Sequence, residues 1–254
     1  MFRKFGSFGK KLLAIILVAA TLTAGLSVQA AGGTTYTNAA QIMQLVHDGY
    51  NQGTKGPISI IRGTLKSGFS SKQIYLITLS GTEIVFNQTT EGLTDLFSGF
   101  NLKSRYYSNV VDVILNNIPK GANLILAGHS LGGMIAQQVA ADSTIKARYN
   151  ILNTVAFGSP LLSAGSREGT VRRLGDVNDP VPYLSVRTVT NPIWSFMGLN
   201  REDGGYFGRP ITAHKESYSR EDVWGRYDVT GAKYGSAKLI LDLSTRVFFQ
   251  STFL

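Results

Sequence analysis

The chain has 254 residues, of which 43% are hydrophobic and 16% charged, a balance that excludes a disordered chain and supplies a core for one large domain. It contains no cysteine, which excludes disulfide frameworks, thiolate metal sites, a cysteine nucleophile and a lipid anchor carried on cysteine. The formal charge of +9 comes with no nucleic-acid motif, so it reads as serving solubility or an anionic surface, and no nucleic-acid partner is expected.

Four of the 25 basic residues and none of the 16 acids fall in residues 1–30, which leaves +5 on residues 31–254. Arg3, Lys4, Lys10 and Lys11 precede an apolar run from Leu12 to about Leu26, closed by Val28-Gln29-Ala30. A basic start, a short apolar centre and a small-x-Ala end predict a secretory signal over residues 1–30. The run is short for a membrane span, and Thr21, Thr23 and Ser27 dilute its end, so no stable span is expected after cleavage. An uncleaved anchor is the alternative.

The first predicted element of the mature chain is a helix over residues 38–50. Ile42, Leu45, Val46 and Tyr50 share one face, and Asn38 and Gln41 are spaced as a capping pair. Strands are predicted at Ile58–Leu65 and Ile74–Leu79, and a helix over about Arg105–Ile118, stopped by Pro119 and Gly121. The apolar run Leu124–Ala127, a small-residue helix over Gly132–Ala141 and the run Leu152–Phe157 follow. Runs that are apolar at every position suit strands covered on both faces, and their alternation with helices predicts an α/β fold with a mostly parallel central sheet flanked by helices. Residues 31–254 are expected to form a single domain, with no cue to its oligomeric state.

The segment Leu124-Ile-Leu-Ala-Gly-His-Ser-Leu-Gly-Gly133 carries the most chemistry. Gly128-x-Ser130-x-Gly132 lies between a predicted strand and a predicted helix, the setting in which this spacing forms a nucleophile elbow. A sharp turn there strains the Ser130 backbone and brings neighbouring main chain too close for side chains at 128 and 132. The hydroxyl would project at a helix N-terminus, where free N–H groups favour developing negative charge.

Serine needs a base, held in turn by an acid. Of three histidines, His129 is the neighbour of Ser130 and points away from it, a packing or loop-orienting residue; His47 lies upstream, in the first helix, as a surface residue. The chain order serine, acid, histidine leaves His214, in a loop-like stretch after Pro210. Six acids lie between: Asp142, Glu168, Asp176, Asp179, Glu202 and Asp203. Asp179 opens Asp179-Pro-Val-Pro182, whose prolines fix its direction, and it is favoured over its main competitor, Asp176. For an oxyanion, the Leu131 N–H is one donor by the elbow geometry, and Thr82, after the strand ending in Leu79-Ser80-Gly81, is the other.

With these pieces assembled, the chain resembles the class 3 (fungal-type) lipase family of α/β hydrolases. The resemblance rests on Ser80-Gly81-Thr82, Gly128-His-Ser-Leu-Gly-Gly133, Phe157-Gly-Ser-Pro160, Asn178-Asp-Pro-Val-Pro182, and His214 with Tyr218 after it, in family order over about residues 74–218. It departs from the family where Ser80 stands in place of a frequent Arg and where Pro160-Leu-Leu-Ser163 replaces Pro-Arg-Val-Gly, so substrate preference is not carried over. The resemblance implies an α/β-hydrolase fold with Ser130 as nucleophile, Asp179 as acid, His214 as base, and Thr82 and Leu131 as oxyanion hole. It needs no metal or organic cofactor.

The expected activity is cleavage of carboxylic esters, of lipids such as triacylglycerols, by a secreted serine hydrolase working through an acyl-enzyme, its partner a lipid or ester substrate at a lipid–water interface. In such lipases a short amphipathic lid follows the oxyanion loop. Gly92–Phe100 has that spacing, with Leu93, Leu96, Phe97 and Phe100 on one face, and equally fits an ordinary core helix. Ile193-Trp-Ser-Phe-Met197, with Tyr206 and Phe207, fits either an acyl pocket or loop packing. Two other readings stand beside the lipase: a lidless short-chain esterase or thioesterase, and an inactive secreted module binding anionic polymers.

Overall fold

Strands that are apolar at every position are stable only where both faces are covered. In the computed structural model the runs at 124–127 and 152–157 are the middle of such a sheet. The structure describes residues 33–51, 54–81, 105–184, 196 and 198–251. The chain divides into Met1–Gly32 and Gly33–Leu254, and every described residue lies in the second unit. The signal expected at 1–30 lies outside the described residues.

Eight strands among the described residues form one sheet: β1 (Thr34–Tyr36), β2 (Ile58–Ser67), β3 (Ser70–Leu79), β4 (Asn123–His129), β5 (Asn150–Phe157), β6 (Thr170–Asp176), β7 (Leu199–Glu202) and β8 (Lys238–Phe249). Their order is β1-β8-β2-β3-β4-β5-β6-β7. From β3 to β7 all neighbours run parallel; β1, β8, β2 and β3 pair antiparallel. The sheet is therefore mixed, parallel on the side that carries the candidate site. The antiparallel half departs from the simple alternation read from sequence, because β2 and β3 are joined by a two-residue turn, Gly68-Phe69, and so short a link can only reverse the chain.

The helices are α1 (Ala39–His47), α2 (Arg105–Asn117), α3 (Leu131–Ala141), α4 (Ser143–Arg148), α5 (Pro210–Glu216) and α6 (Glu221–Trp224). The expected capping pair starts α1. Asn38 Oδ1 accepts the Gln41 N–H at 3.0 Å, and Gln41 Oε1 accepts the Thr37 N–H at 2.8 Å. Along β4 the side chains alternate between two cores. Ile125 and Ala127 pack with Ile42, Val46, Phe157 and Trp224 on the α1 side; Leu124 and Leu126 pack with Val110, Ile114, Met134 and Val139 of α2 and α3.

One expectation is corrected by the chain after Pro210. His214 is not in a loop: it is on α5, with Pro210 in the helix's first turn. Proline there gives up an N–H that a helix start leaves unbonded in any case, and its fixed φ suits the turn. Ala213 and His214 are the buried residues of that helix.

Candidate active site

β4 ends at His129 and α3 begins at Leu131, so the whole turn between strand and helix is Ser130. Ser130 has φ 54° and ψ −124°, a left-handed conformation strained for any residue with a side chain. Its N–H donates to the Phe157 carbonyl at 2.9 Å, and its carbonyl accepts from Gly133 and Met134 at 3.1 and 3.2 Å. The turn is tight enough to fix its neighbours as glycine. A Cβ on Gly128 would lie 2.3 Å from the Gly132 carbonyl oxygen, and one on Gly132 would lie 2.1 Å from that of Leu79. Although Ser130 is the N-cap of α3, its hydroxyl makes no capping hydrogen bond. A serine in this position ordinarily spends its oxygen on the helix; the strained turn leaves it for other chemistry. Leu131 is the first residue of α3, and its N–H is among those a helix start leaves without an internal partner.

Asp179 and His214 meet directly. His214 Nδ1 lies 2.8 Å from Asp179 Oδ2, with both residues buried. The carboxylate is held from three sides: Tyr218 donates its O–H to Oδ2 at 2.5 Å, and the Val181 N–H donates to Oδ1 at 2.9 Å. Prolines 180 and 182 carry the Asp179 backbone into the 3-10 turn Val181–Tyr183 that presents that N–H. Burial, then the nearby Asp179 charge, pushes the Tyr218 hydroxyl well above its usual range, so it stays a donor. An ionised acceptor on Nδ1 fixes the proton there and leaves Nε2 of His214 as the acceptor.

Asp176 has a different task. Its Oδ2 accepts from the Gly204 N–H and the Ser217 hydroxyl at 3.0 and 2.6 Å, and its Oδ1 accepts from the Asn178 N–H at 2.8 Å. It anchors the chain on either side of α5, and its own N–H donates to Tyr218 Oη at 3.0 Å. The other four acids are engaged away from the imidazole. Asp142 caps α4, Glu168 accepts from the Ile151 N–H, Glu202 from Tyr227 and Lys233, and Asp203 from Asn178 and Gly205.

Two close-packed glycines lie just past the ends of the strands on either side of β4. Gly158 follows β5 and has φ +49°; a Cβ there would lie 2.9 Å from Asp179 Oδ2 and 3.1 Å from His214 Nδ1. Because His129 pairs with Phe157 across the parallel strands, Ser130 lies beside Gly158. On the other side, a Cβ on Gly81 would lie 3.0 Å from the Ser130 Cβ. Thr82 lies just outside the described residues, as do 92–100 and, apart from Phe196, residues 193–197. Tyr206 is buried, with the guanidinium groups of Arg209 and Arg220 at 5.3 and 5.4 Å from its ring centre, while Phe207 stands exposed. His47 is exposed at the end of α1. His129 is buried between Tyr50 and the His214 main chain. The sequence marks Tyr50 only as an apolar residue of a helical face and Tyr218 only by its place after His214; a tyrosine is the apolar type whose tip must find a partner when buried. Among the described residues no group of three or more His, Cys, Asp or Glu side chains could hold a metal ion.

No family model matches the chain. No curated protein matches it either. One solved structure, the crystal structure of M37 lipase, is similar over 58% of this chain and 64% of its own, less than two thirds of its length, at 14% identity and a TM-score of 0.28.

Proposed function

We propose that the chain is a secreted serine hydrolase that cleaves carboxylic esters of lipids, with Ser130 as nucleophile, His214 as base and Asp179 as the acid that holds the base. The observation that carries this reading is the strained Ser130 turn, at the carboxyl end of a parallel strand, beside a glycine against which an acid–imidazole pair is packed. In this scheme His214 Nε2 takes the Ser130 proton as the oxygen attacks the ester carbonyl. Asp179 holds the Nδ1–H and stabilises the imidazolium. The Leu131 N–H and Thr82 receive the oxyanion charge, His214 returns its proton to the leaving alcohol, and water then opens the acyl-enzyme by the same steps reversed. The exposed Phe207 and Ile211, on and just before the helix that carries His214, suit an apolar acyl substrate at an interface.

Ser130→Ala is expected to abolish turnover of p-nitrophenyl esters and labelling by a fluorophosphonate probe, with the far-ultraviolet circular dichroism unchanged. Turnover that survives in a folded Ser130→Ala protein would refute the mechanism. Rates on monomeric against emulsified esters, from acetate to palmitate, separate a lipase from a short-chain esterase.

A further inference from the structure

Resting on the hydrolase reading above, we propose that His129 and Tyr50 are positioning residues. They form a hydrogen-bonded strut that sets the gap between the base on α5 and the end of β3, across Ser130.

Three contacts make the strut. His129 Nε2 lies 2.9 Å from the main-chain carbonyl oxygen of His214. His129 Nδ1 lies 2.7 Å from Tyr50 Oη, and the Gly81 N–H donates to the same Oη at 2.8 Å. Each proton has one place. A carbonyl can only accept, so Nε2 carries the ring proton; a neutral ring then leaves Nδ1 to accept the Tyr50 O–H; and the Tyr50 oxygen accepts from Gly81. The strut thus runs in one direction, from Gly81 through Tyr50 and His129 to the residue that bears the base.

Its two ends are on opposite sides of the nucleophile. Gly81 packs against the Ser130 Cβ, and the His214 ring lies against Gly158 on the other side. The His129 ring lies tilted against those of His214 and Tyr218, with centroids 4.6 Å and 5.6 Å away, so the strut is packed against both the base and the tyrosine that holds its acid. Ser80 is fixed independently, through its N–H to Pro57, its hydroxyl to Val46 and its carbonyl to Tyr106. The Tyr50 contact is the one that reaches past Ser80 to the residue that touches Ser130. Burial disfavours a charge on His129, as does the neighbouring His214, which keeps Nδ1 an acceptor. A base and an oxyanion donor misplaced by about 1 Å cost up to about 100-fold in rate, which is the scale on which such a strut acts.

The test is a double-mutant cycle in the full chain. Tyr50→Phe removes the hydroxyl that joins Gly81 to His129 and keeps the ring; His129→Gln keeps an amide donor for the His214 carbonyl and removes the ring nitrogen that Tyr50 meets. Each single variant is expected to lower kcat on a p-nitrophenyl ester by about 10–100-fold with KM within about twofold. The double variant should be no slower than the worse single, because both break the same link. Losses that multiply in the double variant, or a Tyr50→Phe kcat within about twofold of wild type, overturn the strut. Should the variants not fold, nitrogen-15 NMR of the wild-type histidine rings carries the test. His129 is expected as the Nε2–H tautomer with a bare Nδ1, and an Nδ1–H tautomer overturns the proposal. A wild-type protein that turns over no ester brings down the hydrolase reading and this inference with it. Turnover lost in Ser130→Ala and untouched in Tyr50→Phe brings down the strut alone.

Discussion

The three histidines differ in what surrounds them, and the surroundings assign their chemistry. His47 is exposed. His214 donates to an acid held by a tyrosine and a backbone N–H. His129 is buried with a carbonyl on one nitrogen and a phenol on the other, and burial, then the neighbouring His214, lowers its pKa well below the usual 6.5. A histidine with a depressed native pKa refuses a proton that the unfolded chain accepts. Its contribution to stability is therefore intact above about 6.5 and drains as pH falls from there toward the native value, at up to about 1.4 kcal/mol per pH unit for the one proton. Urea unfolding at a series of pH values from 7.5 downward should show this slope in the wild type and a shallower one in His129→Gln. Equal slopes would mean that the buried ring is not the group resisting protonation. At this scale the sequence was legible where a residue's conformation or partner follows from chain order or backbone chemistry. Ser130 between its glycines makes the strained turn expected of it, and Asp179 before its proline pairs with His214. Tyr50 and Tyr218 were not legible, because a hydroxyl placed 31 or 39 residues from its partner leaves no local pattern.

Elements were legible in proportion to how uniformly they are buried. β4, β5, α2 and α3 stood out because their apolar residues continue without break or fall on one helical stripe. β8 went unread because its burial alternates only weakly and because a bulge interrupts it. Ile60 pairs with Val247 and Arg62 with Asp242, so the four residues 243–246 stand opposite Ile61 alone, three more than a regular ladder needs, and Thr245 Oγ1 takes the Arg62 N–H that the ladder would have used. α5 was hidden by Pro210, which reads as a stop although it also starts helices. One pairing works against its own sheet. Lys66 and Lys238 are directly opposed across β2 and β8, both exposed, and like charges so placed repel. Lys238→Glu should raise stability by about 0.2–1 kcal/mol in urea melts at low salt, the gain shrinking near 1 M salt. No gain at low salt would show that the ammonium groups splay apart at no cost.

Taken whole, the described residues form two cores laid against one sheet, and β4 contributes to both. The strand that leads into Ser130 is buried from Leu124 to His129, which suits a turn whose strain the rest of the fold must absorb. No helix among the described residues is long and apolar enough to cross a membrane. The β2–β3 hairpin extends the other way. Its turn, Gly68-Phe69, lies at the start of β3, and the strand's ten residues, at about 3.3 Å each, separate it by about 33 Å from the end where Gly81 meets Ser130. The Phe69 side chain is fully exposed and fills no cavity. Because the chain has no cysteine, Phe69→Cys would create a single thiol, open to solvent and remote from the nucleophile. A maleimide dye or a solid support coupled there should leave ester turnover within about twofold of the uncoupled protein, by the separation alone. That makes the hairpin a handle by which the protein can be immobilised in one orientation, with the Ser130 end of β4 turned to the solution.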